Sequence, residues 1–463
     1  MRIRHALALA LVAAVALVSN PALTATEPAA PQYTIEDLGD FGPDMYPHVT
    51  GINRHGDVVG WVQSTTDLWQ VRAWRRMHDA AGIEILRGDR AWAMAINDAG
   101  VVVGFEALRD GTSTSFQYSD ALGFRQIDAL NGLQSAVASI NNAGDVAGVY
   151  LASSDGAPRA FRTVGTTLED LGVFHNGSGS WALAMNDAAQ VTGYSFGGGW
   201  SFRMAFRYTT GVGLQNLGTL GGSDSEGNAI NARGQVAGTA VTGFTPLPRF
   251  HAFRYTDGVE MQDVAPHLLA SNGLALNNAG DVVGRALFVP DVFAGPQDIY
   301  EAFLYTDAGG TVNLNDLIDR SSGWILRMAT GINDSGHIVG IGELNGQRRA
   351  FKLTKDIEPP VITTAAASLG VLWPPDGRME PVSFTVSAAD NFDPQPACRI
   401  ATIASSEPDG SEQFVLTGPL SATFAAARWG YGTGRVYTVT LRCSDRAGNA
   451  AERQVLVTVP RNQ

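Results

Sequence analysis

One stretch constrains this chain more than any other: Ala95-Ile96-Asn97-Asp98-Ala99-Gly100-Val101-Val102-Val103-Gly104, which occurs seven times with small changes. The copies run 51–60, 95–104, 139–148, 184–193, 229–238, 275–284 and 331–340. Their asparagines (Asn53, Asn97, Asn141, Asn186, Asn231, Asn277, Asn333) are spaced 44, 44, 45, 45, 46 and 56 residues apart. A fixed period of this size marks a repeat architecture, in which each unit buries its apolar face only against its neighbours.

Two further motifs keep the same period. The first pairs a small residue with an aromatic: Ala73-Trp74, Ser115-Phe116, Ala160-Phe161, Ala205-Phe206, Ala252-Phe253, Ala302-Phe303 and Ala350-Phe351. The second alternates apolar and polar residues, as in Leu168-Glu169-Asp170-Leu171-Gly172 and Leu214-Gln215-Asn216-Leu217-Gly218. The valine-rich runs are β-branched, and the alternating motif suits a half-buried strand. Between Ile-Asn and the valines, Asn-x-x-Gly reads as a tight turn with glycine at positive φ. The fourth copy has Ala189 at that glycine position, which predicts strain or a different turn.

Each unit therefore reads as four strands, which at this period is a propeller blade. The seventh unit stops at Ala350-Phe351-Lys352-Leu353-Thr354 without a fourth strand. Tyr33-Thr34-Ile35-Glu36-Asp37-Leu38-Gly39 supplies one ahead of the first unit. A ring closes in this way and an open solenoid has no reason to. The expected fold is all-β: a seven-bladed β-propeller over 33–354 closed by the N-terminal strand. A linker at 355–360 and an immunoglobulin-like β-sandwich at 361–463 follow.

The propeller motifs resemble the HAF repeat of predicted extracellular bacterial proteins, named for a run that stands intact at His251-Ala252-Phe253. Leu217-Gly218-Thr219-Leu220-Gly221-Gly222 carries its associated pattern. The resemblance covers about 33–354. It implies export and a propeller-like domain, and brings no activity or catalytic residue with it.

In the last quarter, runs such as Val382–Val386, Val436–Leu441 and Gln454–Val459 alternate as strands do. About a hundred residues of this kind suggest a sandwich. Leu372-Trp373-Pro374-Pro375, Asp390-Asn391 and Asp445-Arg446-Ala447-Gly448-Asn449 resemble motifs of bacterial immunoglobulin-like modules. Cys398 and Cys443 are the only cysteines, and in an exported chain an even pair reads as one disulfide. No metal site is expected from cysteine or histidine spacing. Asp390, Asn391, Asp393 and Asp445 could gather oxygen ligands for Ca²⁺, although turn-forming acids are the commoner explanation.

Residues 1–25 read as a signal peptide: Arg2, Arg4 and His5, then the apolar run Ala6–Val18, then small residues to Ala25. Residues 26–32 form a short lead. The run is too short for a bilayer span, which needs about 20 residues. Its removal takes away two arginines and no acid, so the net charge moves from −13 to −15. Such an acidic chain argues against nucleic acid as a partner.

Function is expected where the repeat breaks down. The Asn-x-x-Gly and Asp-Gly hairpins stay short and share one face of the ring. The connections 63–70, 195–203, 241–249 and 287–300 within units, and 40–48, 173–180, 219–227 and 319–327 between them, vary and share the other. Aromatic candidates for ligand binding on that face are Tyr46, Trp69, Trp92, Trp181, Trp200, Tyr300 and Trp324, with Phe174 and Phe293 beside them. The sequence holds no His-Glu-x-x-His run and no nucleophile elbow. The expected function is a secreted or surface binding protein whose partner is an extracellular glycan or protein. A polysaccharide hydrolase or lyase with carboxylates near the channel is the alternative, and a structural surface protein is a third reading. Catalysis is not the favoured one.

Overall fold

The computed structural model describes residues 32–462 apart from 43, 131, 153–155, 198–201, 244–247, 289–299 and 408–412. The segment read as a signal peptide, Trp200 and Phe293 lie outside the described residues. The rest is all-β, with only short 3₁₀ turns besides strands.

Seven four-stranded antiparallel sheets follow one another along the chain. Sheet 1 pairs Met45–Ile52, Val58–Ser64, Val71–Arg76 and Glu84–Arg87 in order, and sheets 2 to 6 repeat the pattern. Sheet 7 pairs Trp324–Ile332, Ile338–Leu344 and Gln347–Lys355, and its outermost strand is the N-terminal Tyr33–Asp37, with Tyr33 opposite Lys355 and Asp37 opposite Phe351. The first strand of each sheet touches that of the next, and the first strand of sheet 7 touches that of sheet 1. This cyclic order of four-stranded sheets is the β-propeller arrangement.

The repeated residues explain themselves by contact. The aromatics Trp74, Phe161, Phe206, Phe253, Phe303 and Phe351 are wholly buried. The glycine that closes each repeat has no room for a side chain. A Cβ at Gly284 would stand 1.8 Å from the Asn272 carbonyl oxygen and 2.9 Å from the Phe303 ring, and Gly104 meets Trp92 and Phe116 in the same way. A bulge in the first strand follows that contact in every sheet, for example between Gly273 and Ala275.

The asparagine serves two purposes. In its own turn, Asn53 Oδ1 accepts the N–H groups of His55 and Asp57 at 3.0 and 2.9 Å. Its Nδ2 donates to the carbonyl of Asn97 in the next sheet at 3.1 Å. The same step joins Asn97 to Asn141, Asn186 to Asn231, Asn231 to Asn277, and Asn333 to Asn53. Ala189 keeps the common turn, with its N–H on the Asn186 carbonyl at 2.9 Å, and takes φ +55° to do so. Of the two outcomes expected there, strain is the one found.

On the same face, arginines of the third strands clamp neighbouring sheets. Arg207 donates to the Gly234 carbonyl at 2.8 Å and to Asp257 at 2.7 Å, while its guanidinium lies over Tyr255. Arg254 repeats this with Gly280, Asp307 and Tyr305.

Beyond the ring, Val361–Ala367, Met379–Ala389, Ser421–Ala425 and Phe414–Gly418 form one sheet, and Ala397–Ser405, Gly434–Ser444 and Ala450–Pro460 a second. Leu372, Phe384, Phe424, Tyr437, Leu441 and Val459 make their shared core. Cys398 stands opposite Cys443 on adjacent strands, and the two are disulfide-bonded. Among the described residues no helix is long and apolar enough to cross a membrane.

Candidate functional site: a groove across the variable face

The strand register places one non-repeating residue beside each constant glycine. The first-strand residue whose carbonyl covers that glycine is His48, Trp92, Ala136, Trp181, Glu226, Asn272 and Met328 in sheets 1 to 7. Their second-strand partners are Trp61, Phe105, Val149, Tyr194, Thr239, Arg285 and Ile341. All seven first-strand residues are half-buried. Backbone geometry is therefore constant at these positions while the chemistry varies, and this is where the variable face begins.

Three adjoining pockets on this face share linings. The first, about 70 Å³, is bounded by Tyr46, Arg285, Tyr300, Arg327, Glu343 and Arg348. The second, about 240 Å³, shares Arg285 and Tyr300 and adds Arg203, Glu226, Phe250 and Asn272. The third, about 590 Å³, shares Tyr46 and Arg348 and extends to Asp40 and Arg349. Together they form a groove from the edge of sheet 4 through sheets 5, 6 and 7 to the edge of sheet 1. Five arginines line it in a chain whose net charge is −13.

Arginines and tyrosines are paired along this groove. The Arg348 guanidinium lies 4.5 Å from the centre of the Tyr46 ring and donates to the Tyr46 hydroxyl. Arg285 lies 4.7 Å from the centre of the Tyr300 ring and donates to Asn272 Oδ1 at 3.1 Å. Such stacking fixes the plane of a guanidinium. The acids are engaged: Glu226 with Arg203 at 2.6 Å and Glu343 with Arg327 at 3.0 Å. His48 stacks on Trp61 with centroids 3.5 Å apart. Burial, reinforced by the Arg348 charge, pulls its pKa down to about 4.

The aromatic candidates separate by place. Tyr46 and Tyr300 line the groove together. Trp92 stacks on Phe105 at 5.0 Å and Trp181 on Tyr194 at 5.5 Å, both half-buried on first strands elsewhere around the ring. Trp69 is 62% exposed on an outer connection, with Arg90 over its ring at 4.9 Å. Trp324 is corrected: it belongs to the core of sheet 7, packed edge-on against Phe351, because it opens the strand on its inward-facing register. The residues not singled out from sequence are Arg203, Arg285, Arg327 and Arg348. Reading the seven units position by position at the constant glycine would have drawn attention to Arg285.

The opposite face has its own opening, a basin of about 440 Å³ lined by the seven repeated asparagines, the apolar residue before each (Ile, Met185 or Leu276) and the residue after each. Several of its polar groups are bonded to one another: the Asp98 N–H donates to Asn142 Oδ1 at 2.9 Å, and that of Asn278 to Asp334 Oδ1 at 2.8 Å, while Asn141 Nδ2 has no partner among the described residues.

The expected Ca²⁺ ligands regroup. Asp390 and Asp445 meet Asp356 of the linker rather than Asn391 and Asp393. Asn391 is exposed, and Asp393 is engaged by the Gln395 N–H at 2.9 Å and by Arg446 at 3.6 Å.

No family model and no curated protein matches the chain. Among solved structures it is similar to TolB from Acinetobacter baumannii, at 14% identity and a TM-score of 0.40, over 65% of each chain. It is also similar to the β-propeller domain of the Trilobed protease from Pyrococcus furiosus, at 10% identity and a TM-score of 0.45, over 66% of this chain and 93% of that one. A puromycin-hydrolyzing peptidase of Mycobacterium tuberculosis matches at 14% identity and a TM-score of 0.38, over 69% of this chain and 52% of that one. The chain thus spans less than two thirds of TolB and about half of the peptidase. At these scores the functional reading rests on the chain's own side chains.

Proposed function

We propose that this is an exported binding protein: a closed seven-bladed β-propeller of HAF-repeat type, followed by an immunoglobulin-like domain that displays or spaces it. The groove across the variable face holds the ligand. The observation that carries this reading is the pairing of Arg348 with Tyr46 and of Arg285 with Tyr300 in adjoining pockets. Tyrosine faces suit sugar rings and oriented guanidinium groups suit carboxylates, so the favoured partner is an extracellular glycan bearing acidic groups. An acidic protein loop is the second choice. The disulfide supports an oxidising location.

A polysaccharide hydrolase or lyase needs carboxylates free to exchange protons with substrate. In the groove Glu226 and Glu343 are each held by an arginine, which favours binding over catalysis. The test is a glycan array comparing neutral and uronic-acid oligosaccharides, with Arg285→Ala and Tyr300→Ala alongside the unaltered protein. Acidic glycans should be retained, and each substitution should weaken them at least tenfold. Unchanged binding in both variants would overturn the assignment of the groove. Turnover of any retained polymer would move the reading to catalysis.

A further inference from the structure

The linker and two loops of the C-terminal unit bring three carboxylates together, none of them in the groove lining. Oxygens of Asp356, Asp390 and Asp445 all lie within 4.8 Å of one another. They come from three segments: just after the strand ending at Lys355, just after the strand ending at Ala389, and just after the strand ending at Ser444. Asp356 and Asp445 are 6% and 7% exposed. Each acid has one oxygen fixed locally. Asp390 Oδ1 accepts the N–H groups of Phe392 and Asp393 at 3.0 and 2.7 Å, and Asp445 Oδ1 that of Asn449 at 2.8 Å. Asp356 Oδ1 accepts the Glu358 N–H at 3.3 Å. Asp445 Oδ2 takes the Asn449 side-chain amide at 2.9 Å. Asp390 Oδ2 is sealed from solvent and accepts no hydrogen bond.

A buried carboxylate oxygen without a donor, facing two more acids, is costly unless something positive meets it. Arg446, next to Asp445, does not do so: it pairs with Asp393.

We propose that Asp356, Asp390 and Asp445 form a Ca²⁺ site that locks the linker onto the C-terminal unit. Calcium takes oxygen ligands at about 2.3–2.6 Å, so its sphere spans roughly 5 Å, matching the spread of these oxygens. Backbone carbonyls and water complete such a sphere. The ion also reaches the closure of the ring: the Asp356 N–H donates to the Gln32 carbonyl at 3.1 Å, and the Gln32 N–H to Leu317 at 2.9 Å. Binding therefore couples the orientation of the C-terminal unit to the strand that completes sheet 7. An affinity near that of extracellular modules, about 10⁻⁴–10⁻³ M, sets the site to respond outside a cell and not within one.

The test is calorimetric titration and thermal unfolding of the mature full-length chain, with calcium or with chelator. The unaltered protein should bind one calcium and melt at a higher temperature in it. Asp390→Asn should lose both effects, and in chelator it should melt no lower than the unaltered protein, because a repulsion has been removed. Asp393→Asn, outside the cluster, should still bind. Should Asp390→Asn not fold, Asp356→Asn in the linker serves in its place. Equal melting with millimolar calcium and with chelator would overturn the proposal. So would a calcium response that survives Asp390→Asn or Asp356→Asn.

Discussion

The side-chain amide of Asn333 donates to the backbone carbonyl of Asn53 at 3.0 Å, across 280 residues of chain. It is the step at which the asparagine series returns to its start, so a turn residue of sheet 7 is also a fastener for sheet 1. Asn333→Ala removes this bond and the two that Oδ1 accepts from Ser335 and His337. The expected loss is about 1–3 kcal/mol in denaturant unfolding. Asn333→Asp keeps the acceptor and loses the donor, and should fall between. If Asn333→Asp equals the unaltered protein, the turn alone matters and the fastener does not.

Gly284 illustrates a second constraint. An added methyl group would collide with the Asn272 carbonyl, which is backbone and cannot yield without breaking the pairing of the first two strands of sheet 6. Gly284→Ala should cost at least about 2 kcal/mol or prevent folding. Gly82→Ala, which meets nothing within 4 Å, should stay within about 0.5 kcal/mol. Parallel melts of the two variants check the contrast.

Ala189 is the one repeat position where the chain accepts strain in place of glycine. Its φ of +55° is costly for a residue with a side chain. Ala189→Gly should therefore stabilise the protein by roughly 0.5–1 kcal/mol, against the usual direction of an alanine-to-glycine change. Equilibrium unfolding in urea reads this directly, and a lower midpoint would disprove it.

His48 gives the fold a dependence on acid. Its native pKa of about 4 lies below the ordinary 6.5, so the unfolded chain takes up the proton first as pH falls. The stability linked to this residue is fully present above pH 6.5 and is lost between 6.5 and 4. At most it amounts to about 3.5 kcal/mol, since one unit corresponds to about 1.4 kcal/mol. His48→Gln should flatten the stability profile over that window, measured by denaturant unfolding at successive pH values.

Much of the scaffold was legible because its residues repeat. Asn-x-x-Gly, Val-Val-Gly and Ala-Phe, with their close variants, each answer one local demand in successive units, and a demand met again in every unit is visible without any partner in view. The disulfide was legible because Cys398 and Cys443 had no other cysteine to choose. The arginines of the groove were not, because Arg285 and Arg348 come together only when sheets 6 and 7 meet sheet 1. Trp324 was misplaced for a related reason: its position near a variable connection suggested exposure, whereas register decides which way it points. Asp356 read as linker because its partners lie on loops 34 and 89 residues further on, at Asp390 and Asp445.

The outermost strand of sheet 7 is the first part of the ring to be synthesised. The Thr34 hydroxyl donates to the Thr354 carbonyl, so this strand must wait through 320 residues before its partner exists. Sheets 1 to 6 can each form from contiguous chain, while the seventh has an empty berth until both ends are present. Closure is thus a long-range event and, on contact-order grounds, a slow one. A chain passing through a translocation pore N-terminus first would remain an unfastened arc until its last repeat emerged. Once it had emerged, and before the chain's own first strand docked, the open edge of sheet 7 could accept the leading strand of another molecule, giving linked rings where crowding outpaces closure.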